Sequence, residues 1–149
     1  MVRSRQPVLT RQRIIDAATK LIDSEGLEAL STRRLAAVLG VAGPSLYNHF
    51  RTKDEILDAV ADAVVAQVDI SMFGRYDWQQ ALGMWARSYR AALIQHPNIV
   101  PYLVTSGIGR HPASLRMANA VFGALVDAGW SRAWATRIGA IMRYIVTGS

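Results

Sequence analysis

Between Leu30 and Lys53 the chain reads L-S-T-R-R-L-A-A-V-L-G-V-A-G-P-S-L-Y-N-H-F-R-T-K, an order of residues that few backbone courses satisfy. Ser31 suits a helix N-cap, and Leu35, Val38 and Leu39 recur at helical spacing to form a buried stripe. Gly40 then supplies a stop. Pro44 has a ring that already holds a helical φ, so it suits the first position of a further helix, with Gly43 at the cap. Leu46 and Phe50 face inward on that helix. Two short helices joined across a glycine turn form a helix-turn-helix, the motif whose second helix lies in the major groove of DNA.

Beyond this segment, apolar residues recur with a period near 3.6 and almost nowhere alternate, so the expected fold is all-α. Thr10 caps a first helix with Ile14, Ala18, Leu21 and Ile22 on one stripe, ended by Gly26. Thr52-Lys53-Asp54-Glu55 is a capping box that opens a long fourth helix, with Leu57, Val60, Val64 and Val68 running to about Asp69. A second box, Asp77-Trp78-Gln79-Gln80, starts a fifth helix with Trp78, Leu82, Trp85, Tyr89 and Leu93 on one face, and His96-Pro97 ends it. A short sixth piece spans residues 98–104, and T-S-G-I-G-R-H-P over residues 105–112 reads as loop. The seventh helix, near 113–128, shows Leu115, Ala118, Phe122 and Leu125 before Gly129. Ser131 caps an eighth with Trp134, Ile138, Ile141 and Ile145. The natural division is expected within the fourth helix or just after it, giving a helix-turn-helix domain over residues 1–53 and a helical domain over residues 54–149.

Charge separates these two parts. Residues 1–53 hold nine basic side chains, among them Arg3, Arg5, Arg11 and Arg13, against four acidic ones, whereas residues 54–149 hold eight against seven. Positive charge gathered at one end points to a polyanion, nucleic acid before membrane. No cysteine is present, which removes disulfides and thiol chemistry and fits a reducing cytoplasm. Arg, Asp or Glu interrupts every long apolar segment, so no membrane span and no membrane partner is expected.

Arg33 and Arg34 occupy the first turn of their helix, where a cation opposes the helix dipole by about 0.3–1 kcal/mol. A phosphate beside that turn reverses the sign of the effect. With Leu46 and Phe50 inward, Ser45, Asn48 and His49 point to solvent and Tyr47 lies at the edge. Such groups suit base edges and phosphate oxygens, and Arg51 and Lys53 follow as backbone clamps.

Four segments carry a family resemblance: R-I-I-D-A-A-T-K-L-I (Arg13–Ile22), S-T-R-R-L-A (Ser31–Ala36), G-V-A-G-P-S-L-Y-N-H-F (Gly40–Phe50) and T-K-D-E-I-L (Thr52–Leu57). Residues from about Leu9 to Val68 resemble the DNA-binding region of the TetR family of transcriptional regulators. The resemblance implies that Thr32 contacts phosphate and that Arg33 reaches a base edge. Gly43, Pro44, Ser45 and Asn48 would then read sequence, while Tyr47, His49 and Lys53 hold the DNA backbone. Gly43 departs from relatives that carry a long polar side chain there, which shifts specificity to Arg33, Ser45 and Asn48.

The family uses its C-terminal helices to bind a small-molecule effector and to dimerise. Here the sequence itself supports an aromatic-rich helical domain, in which Trp85, Tyr89, Tyr102, Met117, Phe122 and Met142 are candidate pocket residues, with Trp78 and Trp134 as further aromatics. Arg90, His96, Thr105, Asn119 and Arg143 are the polar groups able to orient a ligand. His49, His96 and His111 share no ligand spacing, so neither metal nor cofactor is expected. No nucleophile elbow, phosphate loop or dinucleotide fingerprint appears, and no enzyme is expected.

Relatives continue past the equivalent of Thr147-Gly148-Ser149, so the resemblance implies either a shortened chain or a dimer interface of fewer elements. The apolar residues of the eighth helix exceed what the remaining chain covers, which marks an interface. The expected function is a cytoplasmic, ligand-responsive repressor acting as a homodimer on a palindromic double-stranded operator. Effector binding would shift the long fourth helix and with it the spacing of the two heads. The alternative is a helical small-molecule-binding or partner-binding module whose basic head is incidental.

Overall fold

Every helix start that the sequence marks with a capping side chain is made by that side chain in the computed structural model, which describes residues 8–107 and 110–149. Arg3 and Arg5, and Ile108 with Gly109 of the loop, lie outside the described residues. Among the described residues there is no strand, only an isolated bridge between Phe73 and Tyr76. The chain forms two compact units, one ending at Val60 and one running Ala61–Ser149. The boundary between these units falls inside the fourth helix.

In the first unit, α1 spans Arg11–Glu25, and the Arg13 N–H donates to the Thr10 hydroxyl at 3.1 Å. Its stripe of Ile14, Ala18, Leu21 and Ile22 is buried. A 3-10 turn over Leu27–Ala29 brings buried Leu30 to the head of α2, Thr32–Leu39, where the Arg34 N–H donates to the Ser31 hydroxyl at 3.0 Å. Gly40 closes α2 in the left-handed region at φ +66°, a conformation that strains any residue with a Cβ.

The expected stripe of α2 needs one correction. Leu35 and Ala36 are buried and Leu39 is half-buried, but Val38 is 57% exposed. At about 100° per residue, Leu35, Leu39 and Ala36 fill one arc of the helix, and Val38 falls roughly 60° outside it.

Helix α3 spans Gly43–Tyr47, with Ala42 as its cap and Pro44 second, so it starts one residue before the expected position. The chain keeps its helical course just beyond, because the His49 and Phe50 N–H groups both donate to the Leu46 carbonyl, at 3.0 and 2.9 Å. That hold keeps Leu46 and Phe50 buried together.

Helix α4 spans Lys53–Val65. The Thr52 hydroxyl accepts from the Glu55 N–H, while the Glu55 carboxylate accepts from the Arg51 N–H at 2.7 Å, one residue further back than in a standard box. Its stripe Leu57, Val60, Val64 and Val68 is buried, yet regular helix ends at Val65, about four residues early. Gln67 and Val68 bond three residues back, and the Asp69 N–H leaves the ladder for the Ser88 hydroxyl at 2.8 Å.

The second unit adds α5 (Trp78–Gln95), α6 (Val100–Thr105), α7 (Pro112–Asp127) and α8 (Arg132–Gly148). Asp77 caps α5 through the Gln80 N–H at 2.9 Å, and Leu82, Trp85, Tyr89 and Leu93 are buried on one face. Trp78 meets Trp130 edge to face at 5.6 Å. The N-cap residue of α7, His111, makes no side-chain cap; instead Asp62 of α4 reaches across, accepting from the Ala113 N–H at 2.8 Å.

The buried face of α7 is Ser114, Met117, Val121 and Leu125 rather than Leu115, Ala118, Phe122 and Leu125. Leu115 is exposed, and Ala118 and Phe122 are half-buried. Ser131 caps α8 through the Trp134 N–H, and α8 buries Ala135 and Val146 while Trp134, Ile141 and Ile145 stay more than half exposed. Helices α5, α7 and α8 pack against one another.

Candidate nucleic-acid interface and ligand cavity

The first candidate site is the outer surface of α2, α3 and the start of α4. Buried Leu46 and Phe50 fix the roll of α3, and the residues between and beside them face away from the core. Tyr47 is 54% exposed, so it projects fully rather than lying at the edge. Asn48 and Pro44 are exposed, and Gly43, Ser45 and His49 are half-buried. None of this polar rim is buried against the protein interior.

Helix α2 brings its own contribution. Thr32 is half-buried at its first position, and Arg33 is exposed beside it. The first turn holds no acid, so its amide donors and Arg33 present one positive field. Arg34 is differently occupied: its Nη2 donates to the Glu25 Oε1 at 2.6 Å, tying α2 to the end of α1. The two arginines thus divide, one spent on the fold and one left outward. Ser31, Arg33, Arg34, Ala37 and Val38 line a shallow concavity on this face.

Lys53 and Arg51 are exposed at the entry to α4. Sequence reasoning overlooked Arg11. Its guanidinium lies 4.3 Å from the centre of the Phe50 ring, placing a further exposed cation beside the end of the α3 segment. The only sequence signal was a basic residue directly after a cap, a feature too common to single out.

The second candidate site is a cavity of about 260 Å³ among α5, α7 and α8. Its wall comprises Trp85 from α5, Met117, Ala118, Asn119, Val121 and Phe122 from α7, and Ala135, Thr136, Gly139, Ala140 and Arg143 from α8. Of the expected pocket residues, Trp85, Met117 and Phe122 are on this wall. Tyr89 is not; it lines a much smaller adjoining pocket with Leu103, Ser106, His111, Ser114, Met117 and Arg143.

Tyr102 and Met142 are on neither wall. Met142 is half-buried just outside the arc of α8 that lines the cavity. The cavity exists because Ala135, Gly139 and Ala140 are small where α8 passes α7, and this run of small residues was the signal missed. Of the polar candidates, Asn119 and Arg143 reach the wall, whereas Arg90, His96 and Thr105 do not. Burial raises the Tyr89 pKa above the usual phenol value, and the Arg143 charge opposes the rise.

Among the described residues no cluster of His, Asp or Glu could hold a metal ion, and no helix is long and apolar enough to cross a membrane.

Residues 14–60 match the family model described as bacterial regulatory proteins, tetR family, and residues 73–149 match the tetracyclin repressor-like C-terminal domain. An HTH-type transcriptional regulator of Saccharopolyspora erythraea is 33% identical over 144 residues, covering 97% of this chain and 61% of that protein. The crystal structure of the Streptomyces coelicolor TetR family protein ActR in complex with actinorhodin superposes with a TM-score of 0.86 at 29% identity, covering 95% of this chain and 67% of that one. BioQ, solved with its double-stranded DNA operator, superposes with a TM-score of 0.83 at 29% identity, covering 95% of this chain and 85% of that one. The chain spans about three fifths of the length of the curated relatives it matches.

Proposed function

Because the chain belongs to the TetR family of bacterial regulatory proteins, we propose that it is a sequence-specific DNA-binding transcriptional repressor controlled by a small molecule. The single observation that carries this reading is the α3 segment: buried Leu46 and Phe50 turn Tyr47 and Asn48 outward, flanked by exposed Arg33, Arg51 and Lys53. A surface of this kind has no structural purpose of its own. Its cations are unhelpful to folding, and a duplex supplies the phosphates and base edges they match.

In this reading residues 1–53 bind DNA and residues 54–149 bind the effector and a second copy of the chain. Arg33 reaches a base edge, and Ser45 and Asn48 read neighbouring bases beside Gly43 and Pro44. Thr32, Tyr47, His49 and Lys53 hold phosphates, and Arg11 adds a further backbone contact. The cavity lined by Trp85, Met117 and Phe122 takes the effector. BioQ was solved with an operator and ActR with actinorhodin, which supports one partner of each class here. The regulator works in the cytoplasm, where its operator lies, and catalyses no reaction.

Selection of bound duplexes from a random pool tests the proposal. The expected result is an inverted repeat whose half-sites are separated by about one helical turn, roughly 34 Å, or a multiple of it. A pool that stays random after repeated rounds would refute sequence-specific recognition.

A further inference from the structure

The wall of the 260 Å³ cavity says what its occupant brings. Apart from Asn119, Thr136, Arg143 and the indole of Trp85 it is apolar, and it contains no acid. Two of its side chains carry buried donors with no acceptor in the protein, Trp85 Nε1 and Arg143 Nε. Trp85 is 2% exposed, so its N–H is shut off from bulk water. Buried polar groups are almost always hydrogen-bonded, and an orphaned donor calls for an explanation.

Arg143 sharpens the point. Among the described residues no carboxylate lies within ion-pair distance of its guanidinium, which rests 4.8 Å from the centre of the Tyr144 ring. Ser106, His111 and Ser114 stand on its other side, and none is an acid. Tyr89, also beside it, is a phenol that is neutral at neutral pH, and burial raises its pKa further, so it supplies no anion. A half-buried cation and an orphaned indole donor thus border an apolar cavity with no acceptor of matching charge. The guanidinium is always protonated, so the demand for an anion does not vary with pH.

Resting on the reading of this cavity as the effector site, we propose that the effector is a compact ring-bearing molecule with an acidic oxygen, which pairs with Arg143 and accepts from the Trp85 N–H. The rings pack between Trp85, Phe122 and Met117, and the small residues Ala135, Gly139 and Ala140 leave room for a flat body. At about 260 Å³ the cavity falls just below the roughly 300–1,000 Å³ usual for ligand sites, so the molecule is small.

The test titrates the whole 149-residue chain by calorimetry at neutral pH with three probes of one shape: 1-naphthoate, 1-naphthamide and 1-naphthylmethylammonium. Naphthoate is expected to bind at least about tenfold more tightly than the amide, with no measurable binding of the ammonium compound. This preference is expected to shrink as salt rises toward molar concentration. Arg143→Gln is expected to weaken naphthoate far more than the amide, bringing the two to within about threefold, and Arg143→Lys to keep most of the preference. Circular dichroism on both variants checks that they fold, and the wild-type comparison decides the matter even if they do not. Equal binding of amide and naphthoate, or a preference untouched by Arg143→Gln, overturns the acidic-effector proposal while leaving the cavity a ligand site. Failure of all three probes to bind overturns both.

Discussion

A Cβ added at Gly43 would meet no atom within 4 Å, and Gly43 is not among the glycines at positive φ, so nothing in the fold requires glycine there. Gly40, three residues earlier, also has open space but sits at φ +66°. The two therefore respond oppositely to substitution. Gly40→Ala is expected to lower unfolding free energy by about 1 kcal/mol in urea titration. Gly43→Gln is expected to hold or slightly raise it, by up to about 0.5 kcal/mol, while adding a base preference visible in duplex selection. An unchanged selected sequence would mean that position 43 does not face the bases. A second pair separates reading from gripping. Arg33→Ala is expected to lose about 1–3 kcal/mol at one base step, and Lys53→Ala to weaken all duplexes alike and flatten the salt dependence by about one phosphate, close to 0.9 in log–log slope. The outward turn of Asn48 was legible in the sequence because two apolar anchors four residues apart fix the roll of so short a helix, whereas Tyr47, expected at the edge, projects further than the anchors alone suggest. The stacking of Arg11 on Phe50 was not, since it depends on where the start of α1 meets the segment after α3.

Helix starts were readable for a local reason: each cap bonds an amide three residues away, as Thr10, Ser31, Thr52, Asp77 and Ser131 all do. Which face a helix buries is not local. On α7 two apolar repeats run side by side, Leu115–Ala118–Phe122 and Met117–Val121, and only packing against α5 and α8 selects the second. The cap of α7 was equally hidden, because its carboxylate comes from Asp62 in α4, 51 positions away. Asp62→Ala is expected to cost about 0.5–2 kcal/mol and to speed amide exchange in the first turn of α7, with other caps unaffected. Helix α5 supplies a pH test. Burial raises the Tyr89 pKa against the opposing charge of Arg143. Below the ordinary phenol value near 10, Tyr89 is neutral folded or unfolded and pH does not matter to it. Above that value the unfolded chain ionises first, so stability falls as pH rises toward the raised folded value. The melting temperature of the wild type is expected to drop more steeply than that of Tyr89→Phe above about pH 10. Parallel curves would show that Tyr89 contributes nothing to the alkaline limit.

At the scale of the whole molecule, the proposed mode of action needs two heads on one duplex, and α8 supplies the surface on which two copies could meet. Trp134, Ile141, Tyr144 and Ile145 are each more than half exposed along one helix, an apolar surface of the kind that interfaces use. If that surface joins two copies, operator affinity depends on it even though it touches no DNA. The second head, once the first is docked, searches at an effective concentration set by the dimer geometry rather than by the solution, and affinity gains about 10²–10⁴-fold. Placing charge there should remove that gain and nothing else. Ile141→Glu with Ile145→Glu buries no charge in the monomer, since both side chains already face solvent, so helicity and melting temperature at high dilution are expected to hold. Sedimentation of the wild type is expected to show a concentration-dependent dimer, and that of the double variant a monomer. Binding to a single half-site should then be equal for the two proteins, while binding to the full inverted repeat falls by about two orders of magnitude or more in the variant. Equal loss on half-site and full operator would mean that the substitutions damaged the head. No loss on either would mean that the copies meet elsewhere, or that one copy suffices.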